Sequence, residues 1–364
     1  MTKMMFGEKF YCFNNMRTKQ NGKNLRRYLS IILLTFVVTS VADAQLGSYA
    51  GSFSRMGFGA RGLSMGNAMV SDIFGNINGI YNPALSAFQT EGNVNLGYTF
   101  LSLDRKMNFL GFTKKFKLPK QEKGGAGITL AWVNAGVTDI DGRDNDTRQI
   151  GLFSTFENEF YLGTAFLVGD NVALGVGFKL YYAKLFEEVT STSFAIDLGA
   201  IYQASKNLSL GISLKDLGAK YEWRTSEIYG SLGNTTVDDF PKMLDLGASY
   251  LLPKNYGVVS LALQQYFSPE SEPGPDGIVP EKSNNTVLRI GTEINIVPQV
   301  KFRAGLDRID FSADDFAGNL KPSFGIGLDK SFSKTMNLGI DYSFQLEPFS
   351  HDAIQNITVA FKFK

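Results

Sequence analysis

Along residues 336–345 apolar and polar positions alternate without a break. Met336, Leu338, Ile340, Tyr342 and Phe344 share one parity, and Asn337, Gly339, Asp341, Ser343 and Gln345 share the other. A period of two is the signature of a strand, because successive side chains leave it on opposite faces. Phe194, Ile196, Leu198, Ala200 and Tyr202 alternate in the same way, as do Leu288, Ile290 and Ile294, and Ile357, Val359, Phe361 and Phe363. Fourteen segments carry this pattern: 93–103, 106–117, 125–134, 156–168, 171–184, 192–204, 207–216, 241–252, 256–266, 284–296, 300–309, 320–331, 335–345 and 355–364. Most reach the ~9–11 residues that a tilted strand needs to cross a bilayer.

The connections add an orientation. Gly169-Asp170-Asn171, Ser205-Lys206, Pro253-Lys254-Asn255, Pro298-Gln299 and Ser333-Lys334 are tight turns. Between them lie longer polar loops at 135–155, 185–191, 217–240, 267–283, 310–319 and 346–354. Short periplasmic turns alternating with longer extracellular loops are the rhythm of an outer-membrane barrel. Only the first hairpin, at Leu103-Asp104-Arg105, and the turn at 118–124 break it. A soluble β-sandwich also alternates, but its loops need not alternate in length. A propeller needs a repeat of ~40–50 residues, and none is found. The expected fold is therefore all-β: a 14-stranded antiparallel transmembrane β-barrel.

Composition agrees. The 364 residues include 38 Gly, 30 Phe and 15 Tyr, with 44% hydrophobic and 20% charged residues. Mean hydropathy is −0.06. This argues against intrinsic disorder, which needs low hydrophobicity and high net charge. A net charge of +1 gives no reason to expect nucleic acid as a partner.

The first 44 residues read as a secretory signal peptide. Lys23-Asn24-Leu25-Arg26-Arg27 is a basic stretch, residues 28–41 are apolar, and Ala42-Asp43-Ala44 is a small-residue cleavage site. The apolar run is too short for a transmembrane anchor. Translation from Met16 would give a basic region of ordinary length. Cleavage after Ala44 removes seven basic and two acidic residues, leaving 29 and 33 and a net charge of −4. It also removes Cys12, the only cysteine, so neither a disulfide nor a thiol nucleophile is expected.

Residues 51–88 do not alternate. They are rich in glycine and small residues, yet carry Phe, Met and Ile. Such composition suits a compact segment lying close to other backbone. Short helical pieces are expected near 62–71 and 83–88, with Pro83 opening the second. The division is 1–44 signal peptide, 45–92 an N-terminal hatch with short helices in the barrel lumen, and 93–364 barrel. The hatch is expected to enter the lumen from the periplasmic side.

Gly59-Ala60-Arg61-Gly62-Leu63-Ser64-Met65-Gly66-Asn67-Ala68, followed by Asp72 and by Tyr81-Asn82-Pro83-Ala84-Leu85, resembles the opening of the FadL-like outer-membrane superfamily, and most of all its PorV/PorQ branch. The motif residues are Gly59, Ala60, Arg61, Met65, Gly66, Asn82, Pro83 and Ala84. Two departures stand out: Met-Gly-Asn replaces the more usual Met-Gly-Gly, and the chain ends Phe363-Lys364 rather than in an aromatic residue. The resemblance implies a non-enzymatic protein of the bacterial outer membrane. Its partners would be membrane lipid and either secreted cargo proteins and components of a type IX-like secretion system or, alternatively, a hydrophobic small molecule such as a long-chain fatty acid passed through a channel.

Alternation places several charges on the inward face: Lys179, Asp197, Lys215, Asp245, Arg289, Glu293, Arg303, Asp307, Asp329 and Asp341. Pairing with one another or with the hatch is the expected role. Arg61 is expected to meet a wall carboxylate such as Asp197, Asp245 or Asp341. Tyr98, Tyr181, Tyr182, Tyr202, Tyr250, Tyr342 and Phe344 are candidates for the aromatic girdles at the lipid interfaces. No catalytic, cofactor or metal site is expected. His351 is a lone loop histidine. Asp139, Asp141, Asp144 and Asp146 lack the order of a calcium loop. The Pro-rich stretch 268–282 reads as a surface loop.

Overall fold

The computed structural model describes residues 49–363, apart from 77, 118–124, 187, 268–284, 311–319 and 348–352. The expected signal peptide, the 268–282 loop and His351 lie outside the described residues. Fourteen antiparallel strands close into one barrel. In chain order they are β1 (Gly92–Phe100), β2 (Lys106–Lys117), β3 (Gly125–Arg143), β4 (Gln149–Val168), β5 (Val172–Lys184), β6 (Thr190–Gln203) and β7 (Leu208–Leu217), then β10 (Lys242–Leu251), β11 (Gly257–Phe267), β12 (Thr286–Val297), β13 (Val300–Ile309), β14 (Lys321–Ser331), β15 (Met336–Gln345) and β16 (Ile354–Phe363). β1 pairs with β16 from Gly92↔Phe363 to Phe100↔Gln355, which seals the wall. Between β7 and β10, β8 (Lys220–Arg224) and β9 (Thr235–Asp239) form a separate hairpin.

Two loops expected from the polar runs are therefore structured. β3 and β4 continue pairing through 135–143 and 149–155 as a ribbon projecting beyond the wall, bulged at Val137/Ile140. Backbone pairing, not sequence hydropathy, decides there. Asp141 pairs with Arg143 at 2.7 Å in that ribbon, and Asp144 accepts the backbone N–H groups of Asp146 and Arg148. The 217–240 loop contains the β8–β9 hairpin.

Leu338, Ile340 and Phe361 face outward, while Gly339, Asp341 and Ser343 face inward. Arginine at Ile340, near the middle of the apolar band, should cost ~2–4 kcal/mol, whereas at Met336, nearer the edge, the cost should fall to ~0–1 kcal/mol. Reversible unfolding from bilayers measures both. Equal penalties at the two positions would contradict this membrane placement.

The hatch fills the barrel's cross-section. A short helix, Gly59–Ser64, lies against β1 and β13–β16. It starts and ends earlier than the sequence suggested, since positive φ at Gly66 and Asn67 (both 57°) stops it. The expected second piece is a 3₁₀ segment, Pro83–Phe88, against β2–β6. A further 3₁₀ turn, Ser52–Arg55, was not anticipated.

Within the lumen the described hatch runs from the extracellular side to the periplasmic side. Tyr49 sits on Met243, Tyr266 and Val287, which lie at the extracellular ends of β10, β11 and β12. The chain then descends and leaves beside the periplasmic start of β1. Aromatic partners high in the lumen hold its first residues there, not beside the periplasmic turns.

Candidate functional site

Three cross-strand glycine pairs give the hatch its seats. Gly175 faces Gly199, Gly211 faces Gly247, and Gly291 faces Gly305, all on the inward side. A β-carbon on Gly175 would lie 2.5 Å from the Ala84 nitrogen, on Gly211 2.6 Å from the Val70 carbonyl oxygen, and on Gly291 2.8 Å from Met65 Cβ. Each pair flattens the wall so that hatch backbone can touch it.

All eight motif residues are buried. Asn82 accepts the Ala84 N–H at 3.0 Å, capping the turn that Pro83 opens. Its amide donates to the carbonyls of Val70 (2.9 Å) and Ile212 (3.1 Å), which ties the hatch to itself and to the wall. Asn67 occupies the left-handed region, which asparagine tolerates better than most residues. Its amide donates to Asp307 at 3.0 Å, and its oxygen accepts from the Tyr81 hydroxyl at 2.9 Å. The Met-Gly-Asn variant thus keeps the backbone conformation that glycine allows and gains a bond to the wall.

Arg61 is the hatch's charged anchor. Its guanidinium lies 2.6 Å from Asp72 of the hatch and 2.9 Å from Glu293 of β12. Burial disfavours its charge, but Asp72 and Glu293 outweigh this and hold its pKa above the ordinary range. The expected partners Asp197, Asp245 and Asp341 are thus replaced by Glu293. Asp341 is one step further on, since Arg303 bridges Glu293 (2.7 Å) and Asp341 (2.6 Å).

The remaining inward charges pair across the wall. Arg289 meets Asp307 at 2.6 Å, Lys215 meets Asp245 at 2.8 Å, and Lys179 meets Asp197 at 3.0 Å and Asp216 at 2.7 Å. Asp329 sits at the periplasmic rim between Lys301 (2.8 Å) and Lys362 (3.0 Å).

Asp216 and Glu159 are among the lumenal carboxylates that escaped the sequence reading. Asp216 turns inward beside Lys215 at the top of β7, where a bulge against β6 breaks the alternation and Asp216 takes a φ of 59°. Glu159 alternates regularly with the outward Phe160, so the same period-two rule would have found it.

Toward the extracellular side the hatch joins a packed aromatic cluster. Phe53 of the hatch meets Tyr181 with ring centroids 6.2 Å apart, Tyr181 meets Phe240 at 4.8 Å, and Phe240 meets Tyr221 of β8 at 4.9 Å. Tyr181 faces inward and is fully buried, so it is not part of a lipid-facing girdle. The β8–β9 hairpin covers this cluster through Tyr221. Ser193 and Ser191 of β6 accept the backbone N–H groups of Lys220 (2.9 Å) and Glu222 (2.8 Å). The Tyr221 hydroxyl donates to Glu157 at 3.0 Å, and burial and that carboxylate together push the phenol well above its usual pKa, so it stays a donor.

A separate concavity of about 620 Å³ lies on the outer wall, against Phe112, Trp132, Phe160, Phe178 and Phe194. Most of these side chains point to lipid, away from the lumen.

The chain is similar in structure to several solved channels. One is the toluene transporter TodX of Pseudomonas putida, with 14% identity, 89% of this chain and 100% of that chain covered, and a TM-score of 0.57. A second is the Ralstonia pickettii toluene transporter TbuX, with 12% identity, coverage of 86% and 99%, and a TM-score of 0.55. A third is a Pseudomonas aeruginosa FadL homologue, with 13% identity, coverage of 84% and 98%, and a TM-score of 0.53. Neither a protein-family profile nor a curated protein sequence matches the chain. The fold is that of FadL-type channels, and the chain is an outer-membrane β-barrel.

Proposed function

We propose that this protein is an outer-membrane channel for hydrophobic small molecules, closed in the described state by its hatch. The observation that carries the reading is the buried aromatic cluster where the hatch meets the β8–β9 hairpin. A pore for hydrophilic solutes keeps a polar, water-filled lumen. Here Phe53, Tyr181, Tyr221 and Phe240 bring buried aromatic surface into the extracellular half of the lumen, beside the paired charges of Lys179, Asp197 and Asp216. Buried aromatic surface with few polar groups is the usual character of a small-molecule site. The likeness to toluene transporters supports the reading at the level of fold.

Trp132 and Trp223 are the only tryptophans. Trp223 packs against this cluster, with its ring centroid 5.1 Å from that of Tyr221. In a Trp132→Phe variant, titration with toluene or dodecane should change Trp223 emission saturably. A strictly linear, non-saturating response would count against a lumenal site.

A second reading is support of protein secretion or surface attachment, as in the PorV/PorQ type. Its supporting observation is the hairpin tip, where Tyr229 and Leu232 are 63% and 90% exposed. Mass spectrometry of proteins retained by the solubilised barrel would favour this reading if secreted proteins were enriched with the wild type and lost when residues 226–232 are replaced by a Gly/Ser linker.

A further inference from the structure

The outer wall carries a polar row just beyond its aromatic concavity. Asn108, Asn134 and Asn158 stand in register on β2, β3 and β4, all on the lipid-facing side. Asn108 donates to Asn134 at 3.2 Å, Asn134 donates to the Asn158 oxygen at 3.0 Å, and the Trp132 indole N–H donates to that same oxygen at 3.1 Å. Tyr98 and Tyr182 extend the row on β1 and β5. The three asparagines lie nine, nine and ten residues from the periplasmic ends of their strands. At ~3.3 Å per residue and a tilt of ~40° this is roughly 23–25 Å, the outer border of the apolar band. One step deeper, Trp132 and Phe160 stand in register and begin the concavity. Hydrogen-bonding groups at the border thus sit directly over an apolar hollow.

Two cations stand one step further out. Lys106 and Lys184 lie two residues beyond Asn108 and Tyr182, on the same lipid-facing side, and are linked in register through Gly136 and Phe156. Among the described residues neither pairs with a carboxylate. Three strand spacings of ~4.8 Å set their backbones roughly 14 Å apart. Between them Asn158 accepts both of its bonds with its oxygen, which leaves both amide N–H donors for an outside acceptor. Lysines at a membrane border suit phosphate, and amides that can both donate and accept suit the hydroxyl and amide groups of a sugar. A lone phosphodiester covers only part of this span, whereas a phosphorylated sugar is as broad as the row.

We propose that this patch seats a phosphorylated glycolipid of the outer leaflet. Its phosphates rest on Lys106 and Lys184, its sugar lies over the asparagine row, and an acyl chain fills the concavity of about 620 Å³ against Trp132, Phe160, Phe178 and Phe194. A second copy of the chain is a poorer occupant, since two-fold pairing through this face would bring the same lysines toward each other. The assignment does not depend on what the lumen carries.

The test is native mass spectrometry of the full barrel with its hatch, released from detergent after incubation with equimolar bisphosphorylated lipid A, phosphatidylglycerol and phosphatidylethanolamine. Lipid A should be retained at least about tenfold more than phosphatidylglycerol. Lys106→Gln/Lys184→Gln should bring the two within about twofold of each other, and Asn158→Leu, which keeps both lysines, should lower lipid A retention at least about threefold. Lys242→Gln, outward at the extracellular end of β10 and outside the patch, should leave retention unchanged. Heat-modifiable migration on gels shows that each variant is folded. If the double variant fails there, the two single lysine variants replace it, each expected to lose part of the preference. Equal retention of the lipids by the wild type, a lipid A preference that survives the lysine changes, or an equal loss in Lys242→Gln would overturn the site. Phosphatidylglycerol retained above lipid A, or an Asn158→Leu variant that holds lipid A as well as the wild type, would overturn the sugar contact. A species of twice the protein mass that is lost with Trp132→Ala would give the concavity to a second copy instead.

Discussion

Deletion of residues 51–88 should leave a barrel that still inserts and that now leaks small polar solutes. The wall does not depend on the hatch for its charges. Lys179–Asp197, Lys215–Asp245, Arg289–Asp307 and Arg303–Asp341 all join wall to wall. Among the described ion pairs, Arg61–Glu293 is the one linking hatch to wall, and without Arg61 the Glu293 carboxylate keeps Arg303. The strand ladder closes through β1 and β16 without hatch residues. What the deletion removes is the material seated on the three glycine pairs. A fourteen-stranded barrel emptied along that belt has room for water, lying between 8-stranded barrels filled by side chains and 16-stranded porins with open channels. Liposome swelling with small sugars should rise from background to a clear rate, and saturable binding of hydrophobic probes should vanish with Phe53. A deletion variant that cannot insert would make the segment part of the folding core. One that inserts but stays as tight as the full chain would show that the hatch does not seal the lumen.

How much of this was legible in the sequence follows from what each signal depends on. The fourteen wall strands were readable because each has a lipid face and a lumenal face, so alternation was imposed on both sides. Leu338 and Asp341 differ for that reason. The reading stopped where the chain left the bilayer. The ribbon at 135–155 and the hairpin at 220–239 scatter a few apolar residues, such as Ile140, Ile150, Leu152, Tyr221 and Trp223, among polar and charged runs, and their pairing is decided by backbone bonds that this composition does not reveal. Asp216 was missed because a bulge changes the phase of alternation within a single residue. The inward glycines were visible at alternating positions, but their purpose was not. Gly175 and Gly199 meet only when β5 and β6 are paired in register, and only the seated hatch shows why neither carries a side chain. The partner of Arg61 was hidden for a related reason. Period two says which wall residues face inward, but not at which height or on which side of the barrel the hatch helix comes to rest.

That anchor supplies the second large expected effect. Arg61→Ala should weaken hatch seating by about 3–5 kcal/mol, the range for breaking a buried pair. The cost does not come mainly from Glu293, which retains Arg303 at 2.7 Å. It comes from Asp72, which is 0% exposed and loses the guanidinium 2.6 Å away. One of its oxygens still accepts the Phe74 N–H at 2.9 Å, but that bond was made for a charged carboxylate with a cation beside it. The guanidinium also closes the inside of the 72–76 turn, donating to the Asn76 carbonyl at 3.3 Å. Arg61→Lys should recover only part of the loss, because an ammonium cannot reach Asp72 and Glu293 with the same fork. The decisive comparison adds Asp72→Asn. If the cost is a stranded charge, the Arg61→Ala/Asp72→Asn double variant should be more stable than the sum of the single effects predicts, with a coupling of at least about 1 kcal/mol. Seating can be followed by protease sensitivity of the hatch in reconstituted vesicles, and barrel integrity by heat-modifiable migration on gels. Strictly additive effects would mean that Arg61 acts by filling space, and that the ion pair with Asp72 contributes nothing of its own to holding the hatch.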